Sequence, residues 1–461
     1  LTALTLVVLA VFLLSVLLPI QKMFWVFFIY LGFEGMFKIF SDYNPFIHVS
    51  ADIYMGLLFI KAITLSLTKS GKVGKIPPLT GLFVLHIIWF VITFLNPYSL
   101  SLIASLAGMK MYASMLFLYF VGYAFTYTFK QARGYLTPWV LVVFLQSAFS
   151  LYQAYHGESS VTSLHPGYRF ALAKYVGYAF RPFGFTALAG GPAVFIFLVN
   201  VFVIYLLFEV HQLKKQFFLL LLLIMSWITL FVCQVRSAII KSMVGSAIYF
   251  FYYIRDSYSR KKGGLKVLIV PAVVVITLVY ALNYISTTND EMEMAMGRSF
   301  SAFDYGSVSS ARVGILERMA DIIKIAPFGA GMSRTGAAAG KFAQEIASDP
   351  YFKTGFFTDN FWLAVLVDLG IPGLLILTTL VFMILLKGFG SIRRFRIPQY
   401  RLLQIAILSC LCSSVFGFYG AESILYNPEA AFFWFFSGVM MKLPELDREA
   451  YQNHLVKGVD L

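Results

Sequence analysis

Apolar runs of about 20 residues recur along this sequence, each long enough to cross a hydrocarbon layer of roughly 30 Å. The run at 361–386, FWLAVLVDLGIPGLLILTTLVFMILL, is one of them. Inside a bilayer the backbone must satisfy its own hydrogen bonds, so such runs fold as helices or as strands of a closed barrel. Barrel strands alternate in polarity, and these runs are continuous, so they are helices. Hydrophobic residues are 59% of the chain and charged residues 13%, against about 25% charged in soluble domains. The expected fold is all-α, a polytopic membrane bundle of twelve or thirteen transmembrane helices forming a single integral membrane domain over 1–461.

Spans are expected at 3–20, 23–39, 52–68, 79–95, 103–128, 137–154, 190–208, 217–233, 236–254, 266–283, 359–386, 401–418 and 429–442. The first run lacks a small-residue cleavage site and is expected to be a span rather than a signal peptide. Threading the spans in order puts five basic loops on one side. These carry Lys69, Lys72 and Lys75; Lys130 and Arg133; Lys214 and Lys215; Arg255 through Lys262; and Lys387 through Arg401. The positive-inside rule makes that side cytoplasmic. Two large segments then lie outside, 155–189 and 284–358. The second carries seven basic and eight acidic residues, nearly neutral as an exported loop should be. The short tail after Lys442 falls on the cytoplasmic side.

The net charge of +14 does not argue for nucleic acid, because the Lys and Arg sit in short loops beside apolar segments. Cys233, Cys410 and Cys412 lie in or at the edge of spans, with neither metal-ligand spacing nor a disulfide framework. No HExxH or CxxC cluster and no Ser-His-Asp signature is present, so no metal or cofactor is expected.

The stretch 309–374 is a polar island in this membrane-like chain. At 100° per residue, Ile315, Leu316, Met319, Ile322 and Ile323 share one arc of a short amphipathic helix, opposite Glu317, Asp321 and Lys324. Arg312 projects within the apolar arc, toward the membrane body, and Arg318 lies at its edge. Pro327-Phe328-Gly329 ends the helix. The run Gly329-Ala330-Gly331 with Arg334 and Gly336 has the composition of a phosphate-cradling loop. It lacks the Walker spacing and follows no strand, so a tight turn is the better reading.

Topology brings charged groups far apart in sequence to the outer face: Arg181 in RPFGF, Arg236 in CQVRSAII, Arg312 and Asp359. An arginine at a span end is either snorkelling to the interface or holding an anion, and its planar donors suit phosphate oxygens. Asp359, before Asn360, reads equally as a helix N-cap, a duty Thr358 also fits, and as a general base toward a sugar hydroxyl. Glu422 is a second outer-face acid. His156 and His165 are outer-loop histidines outside any motif. Lys61, Lys110 and Asp368 fall within apolar spans, where they either pair inside the bundle or mark a transport path. No internal repeat of the kind many transporters carry is visible.

Three blocks in order, QVRSAIIKSMVG, SSARVGILERMADIIKIAPFGAGMS and TDNFWLAVLVDLGIPGLL, with a weaker fourth, RPFGFTALAGGPAVF, resemble the bacterial O-antigen ligase and Wzy-type O-antigen polymerase superfamily. The resemblance runs from about 165 to 385. It implies a GT-C-like membrane glycosyltransferase of the bacterial inner membrane, with its active site on the periplasmic face. The donor would be a glycan on undecaprenyl pyrophosphate and the acceptor a lipid-linked or lipid A core sugar, without nucleotide sugar, metal or nucleic acid. A chain-length regulator is an implied partner beside the surrounding lipids. Matched residue by residue, Arg236 and Arg312 would hold the pyrophosphate with Arg181 and Arg318 in support, and Asp359 would be the base, with Asn360 and Glu422 as further candidates. Ligases of the superfamily carry histidine where Asp359 stands, so the pattern favours a polymerase, with inversion at the anomeric carbon.

Overall fold

The computed structural model describes residues 3–68, 76–170, 174–176, 179–259, 315–335, 360–420 and 423–457. Among them the chain is almost entirely helical. The N-terminal half runs α1 (Ala3–Ser15), α2 (Ile20–Phe40), α3 (Pro45–His48), α4 (Ser50–Thr68), α5 (Thr80–Phe94), α6 (Leu102–Ala113), α7 (Phe117–Ala124), α8 (Phe129–Gly134), α9 (Leu136–His156) and α10 (Ser159–Thr162). The rest runs α11 (Pro192–Glu209), α12 (Leu213–Val232), α13 (Arg236–Ser259), α14 (Ile315–Ile325), α15 (Phe361–Ile392), α16 (Pro398–Phe416) and α17 (Glu429–Lys457). A two-residue hairpin pairs Tyr175 with Phe180 between α10 and α11.

Eight of these helical segments are long and apolar enough to cross a membrane, and two shorter apolar helices, Ala3–Ser15 and Thr80–Phe94, accompany them. The protein is a multi-pass helical membrane protein. Twelve of the thirteen expected spans coincide with helices, and the one expected at 266–283 lies outside the described residues. The span expected at 103–128 is two helices joined at 114–116. There Leu116 N bonds Ala113 O (3.2 Å) and Leu118 N bonds Met115 O (3.0 Å), the tighter i→i+3 pattern of a 3₁₀ turn.

The tail expected after Lys442 is instead the continuation of α17 through Pro444 to Lys457. Its acids explain this. Glu445 accepts from the Tyr123 hydroxyl (3.0 Å), and Asp447 accepts from the backbone N–H groups of Arg396 (3.0 Å) and Ile397 (2.9 Å). The polar extension is therefore docked on α7 and on the 396–397 backbone.

α11 is apolar on every side and almost wholly buried, which places it at the centre against α9, α12, α13 and α16. Its one polar interior residue, Asn200, donates to the Ser242 hydroxyl (2.8 Å) and accepts from that of Ser226 (2.7 Å), locking α11 to α13 and α12. α7 and α17 pack closely because Gly122 and Gly438 leave room. A Cβ at Gly438 would lie 2.0 Å from the Tyr119 carbonyl oxygen.

The bundle has two polar ends. At one, the 76–79 segment accepts from Tyr119 through Pro78 O, Tyr135 bonds Phe125 O, and Asp447 holds the 396–397 backbone. Segments at or beside the basic loops thus share this end. The other end gathers the segments that position the candidate site. Met36 N bonds Phe185 O (2.9 Å), Asn96 bonds Gly329 O (2.9 Å), and Arg181 bonds Cys233 O (3.2 Å).

Candidate functional site

The turn between α12 and α13 is only three residues long, 233–235, and Gln234 adopts a left-handed φ of 55°. Arg236 therefore starts α13 at the lip of the bundle, half-exposed. Arg181 lies against the same turn, its Nε donating to Cys233 O. Two glutamines of α9 set the loop that carries it. Gln153 Oε1 accepts from Phe183 N and Gly184 N (both 2.8 Å), and Gln146 Oε1 accepts from Phe185 N (2.9 Å). Glycine suits the position of Gly190, because its φ of 76° is left-handed and a Cβ there would sit 2.8 Å from the Cys233 carbonyl oxygen, beside the Arg181 guanidinium. Two arginines thus flank one helix N-terminus. The partial positive charge of that terminus and the guanidinium donors act in the same sense, toward an anion.

One and a half turns along α13, Lys241 is buried and bonds both Glu429 oxygens (3.0 and 3.1 Å) and the Ser423 hydroxyl (2.7 Å), with its ammonium 4.5 Å from the Phe197 ring centre. Its stem occupies the space a side chain at Gly417 would need. The pair joins α13 to the start of α17 and to the described residues 417–420 and 423–425. The first of these segments also contacts α15. Asn360 donates to Tyr419 O (3.0 Å), and Phe418 packs on Phe361 (4.1 Å) and Trp362 (5.2 Å). Lys241 was not among the sequence candidates. The available signal was a lysine in the middle of an apolar span five residues after Arg236, an expensive position unless paired.

Asn360 itself is the N-cap of α15, its side-chain oxygen accepting from Leu363 N (3.0 Å). The cap expected at Thr358 or Asp359 is therefore one residue further on, and capping does not require the Asp359 carboxylate. Asp359, Arg312 and Glu422 lie outside the described residues. Arg318 belongs to α14, whose backbone is described.

α14 packs Met319, Ile322 and Ala326 on Leu363, Leu366 and Val367 of α15, while Asp321 and Lys324 point outward and pair at 3.6 Å. The apolar stripe is narrower than the sequence implies, because Ile323 is exposed. The glycine-rich segment after it is a structural turn. Ala330 N bonds Val367 O (2.7 Å), Ile371 N bonds Pro327 O (2.8 Å), and Arg334 N bonds Asp368 Oδ1 (3.1 Å). The N–H groups of Gly329, Ala330 and Arg334, which a phosphate cradle would need, are used within the protein. The Arg334 guanidinium is buried against the carbonyls of Ala330 and Tyr98.

The three charged residues within spans are also tied locally. Asp368 accepts from Tyr112 and Thr335, each at 3.1 Å, Lys110 pairs with Asp52 at 2.7 Å, and Lys61 donates to the carbonyls of Val16 and Leu18. His165 stacks on Phe40, and its Nδ1 accepts from Gly167 N. His156 Nδ1 contacts Tyr152 O. No group of three or more potential metal ligands occurs among the described residues.

Helical spans, a polar end built from distant loops and two arginines at one helix start there define the class, a multi-pass helical membrane protein. Residues 218–378 match the family model described as O-antigen ligase, which supports the resemblance of this part of the chain to the O-antigen ligase/Wzy superfamily. The matched range contains Arg236, Arg312, Arg318, Asp359 and Asn360 and leaves Arg181 and Glu422 outside. No curated protein matches the chain.

Proposed function

We propose that this protein is a glycosyltransferase that polymerises lipid-linked oligosaccharide repeat units into polysaccharide at the periplasmic face of the bacterial inner membrane. The observation that carries the reading is the bond of Arg181 to the turn from which Arg236 starts its helix, in a chain whose residues 218–378 match the O-antigen ligase family model. An acceptor hydroxyl attacks the anomeric carbon of the donor glycan and gives its proton to Asp359. The bond from that carbon to the pyrophosphate oxygen breaks, and undecaprenyl pyrophosphate leaves with the electron pair. Fixed guanidinium groups of Arg236 and Arg312, aided by Arg181, stabilise the charge that grows on the leaving group without a metal ion. A single displacement of this kind inverts the anomeric configuration.

The matched family's description favours a second reading, a ligase that moves the finished glycan to a lipid A core sugar or another acceptor. Asp359-Asn360 in place of a histidine-led pair favours the polymerase. Transport of the lipid-linked glycan is the weakest reading, because Lys61, Lys110 and Asp368 each bond a separate set of partners.

The test is reaction of the purified protein with a synthetic undecaprenyl-pyrophosphate repeat unit as sole substrate, beside Asp359→Ala and Arg312→Ala. A ladder of longer lipid-linked products, lost in both variants, is the expected result. Transfer only after adding a lipid A core acceptor would replace polymerase by ligase. Retained anomeric configuration in the product would overturn the single displacement.

A further inference from the structure

A cavity of about 290 Å³ opens among the end of α2, α3, the start of α4 and the break between α6 and α7. The chemistry proposed above does not use it. Its polar wall holds two ion pairs, Lys38 with Glu34 at 2.8 Å and Lys110 with Asp52 at 2.7 Å, and Lys110 also reaches His48 O at 3.3 Å. Asn427 also lines the cavity, and its buried side-chain oxygen accepts no hydrogen bond from the described residues. Met111, Met115 and Leu425 supply apolar surface between them.

The segment 423–429 joins this cavity to the candidate site. Ser423 and Glu429 bind Lys241, and Leu425 to Asn427 line the cavity. The 3₁₀ turn at 114–116 is also in the wall, through Ser114 and Met115.

The wall chemistry selects among ligands. Each lysine is matched by a carboxylate, so neither a phosphate nor a bare cation finds a surplus of opposite charge. An acyl chain would strip water from both ion pairs and from the Asn427 amide without supplying a hydrogen bond in return, which is costly. A hydroxylated neutral ring satisfies what is there. Carboxylate and amide oxygens accept from hydroxyls, ammonium groups donate to them, and the apolar patch takes the C–H face. The volume lies at the low end of small-molecule pockets, about 300–1,000 Å³, enough for one sugar residue and too small for an oligosaccharide.

We infer that this cavity is a binding site for a single neutral sugar residue. Its assignment to the glycan substrate rests on the glycosyl transfer proposed above, whereas recognition of a sugar ring does not.

The experiment is saturation-transfer difference NMR on the full chain in detergent, with methyl glycosides of glucose, galactose, rhamnose and N-acetylglucosamine as neutral probes and glucuronate and inorganic phosphate as charged ones. The variants are Asp52→Asn, which removes an acceptor, and Ala107→Phe, which fills the cavity without touching a charge. At least one neutral glycoside is expected to show saturation. The signal should fall by about tenfold or more in Ala107→Phe, with thermal unfolding unchanged. No saturation of any neutral glycoside by the wild type, a signal that survives Ala107→Phe, or displacement of the glycoside by phosphate would overturn the inference. Transfer assays on the same proteins separate it from the proposed function. Unchanged KM in both variants would remove the cavity from the substrate path and leave the transferase intact. Glycoside binding by a wild type that transfers no glycan would do the reverse.

Discussion

Lys241 and Glu429 meet at 3.0 Å with only 3% and 5% of their side chains exposed, and they tie α13 to α17 across 188 residues of chain. Removing one partner leaves a buried charge uncompensated, which costs about 3–5 kcal/mol, whereas replacing both by groups of similar size is close to neutral. Lys241→Met and Glu429→Gln are each expected to lower the unfolding temperature sharply, and the double variant to recover much of the loss. Thermal unfolding of the four proteins in one detergent measures this. Independent, additive losses would show that the two charges do not stabilise each other.

Gly370 bends α15 at φ 70° and ψ −172°, a region essentially closed to other residues. A Cβ there would lie 2.3 Å from the Phe328 carbonyl carbon. Gly370→Ala is expected to cost about 1–3 kcal/mol in backbone strain, together with displacement of the 327–335 turn. Gly56→Ala is the control, since a Cβ at Gly56, inside α4, meets nothing within 4 Å and alanine favours the helix by about 1 kcal/mol. The first variant should unfold earlier and expose the turn to protease, and the second should do neither.

Hydropathy made most of the helices legible, because each span must carry a whole bilayer's length of apolar residues whatever it packs against. Of the four charged groups that threading those spans brought to one face, the structure sets Arg181 against the turn that starts the helix of Arg236, while Arg312 and Asp359 lie outside the described residues. What stayed hidden depended on long-range partners. Lys241 reads as an isolated charge until Glu429 is placed beside it. Nothing local to α17 signals its continuation beyond Lys442, because the groups that hold it are on α7 and at 396–397. The glycine-rich turn was the converse case. Its composition fits both a cradle and a structural turn; the missing Walker spacing already favoured the turn, and Val367 O, Pro327 O and Asp368 are the partners that make it one.

Glu158 accepts from Lys174 (2.6 Å) and from the Tyr175 hydroxyl (2.6 Å), and these bonds hold its carboxyl below the usual value of 4.5. A depressed folded pKa stabilises the loop fully above about pH 4.5, and that stabilisation is lost as pH falls through the lower folded value. Backbone amide exchange around Glu158 and at 174–176 is therefore expected to accelerate, after correction for intrinsic rates, as pH drops below about 4.5. In Glu158→Gln the exchange should be faster at neutral pH and lose this pH dependence. An identical profile in the two proteins would show that the Glu158 bonds do not hold the hairpin.

Arg236 and Arg181 flank the same turn, yet their substitutions should separate. Arg236 starts α13, where the helix dipole disfavours a cation by about 0.3–1 kcal/mol, so Arg236→Ala should act chiefly on the rate per folded molecule. If it holds the departing pyrophosphate, kcat should fall about 10²–10³-fold, the loss typical of one removed transition-state donor. Arg236→Lys keeps the charge without the forked donors and should fall between the two. Arg181→Ala also removes the bond to Cys233 O, so it should lower both the unfolding temperature and the rate. The measurement is product formation per folded molecule beside thermal unfolding for the three variants. A purely structural Arg236 would give the opposite signature, with reduced stability and an unchanged rate per folded molecule.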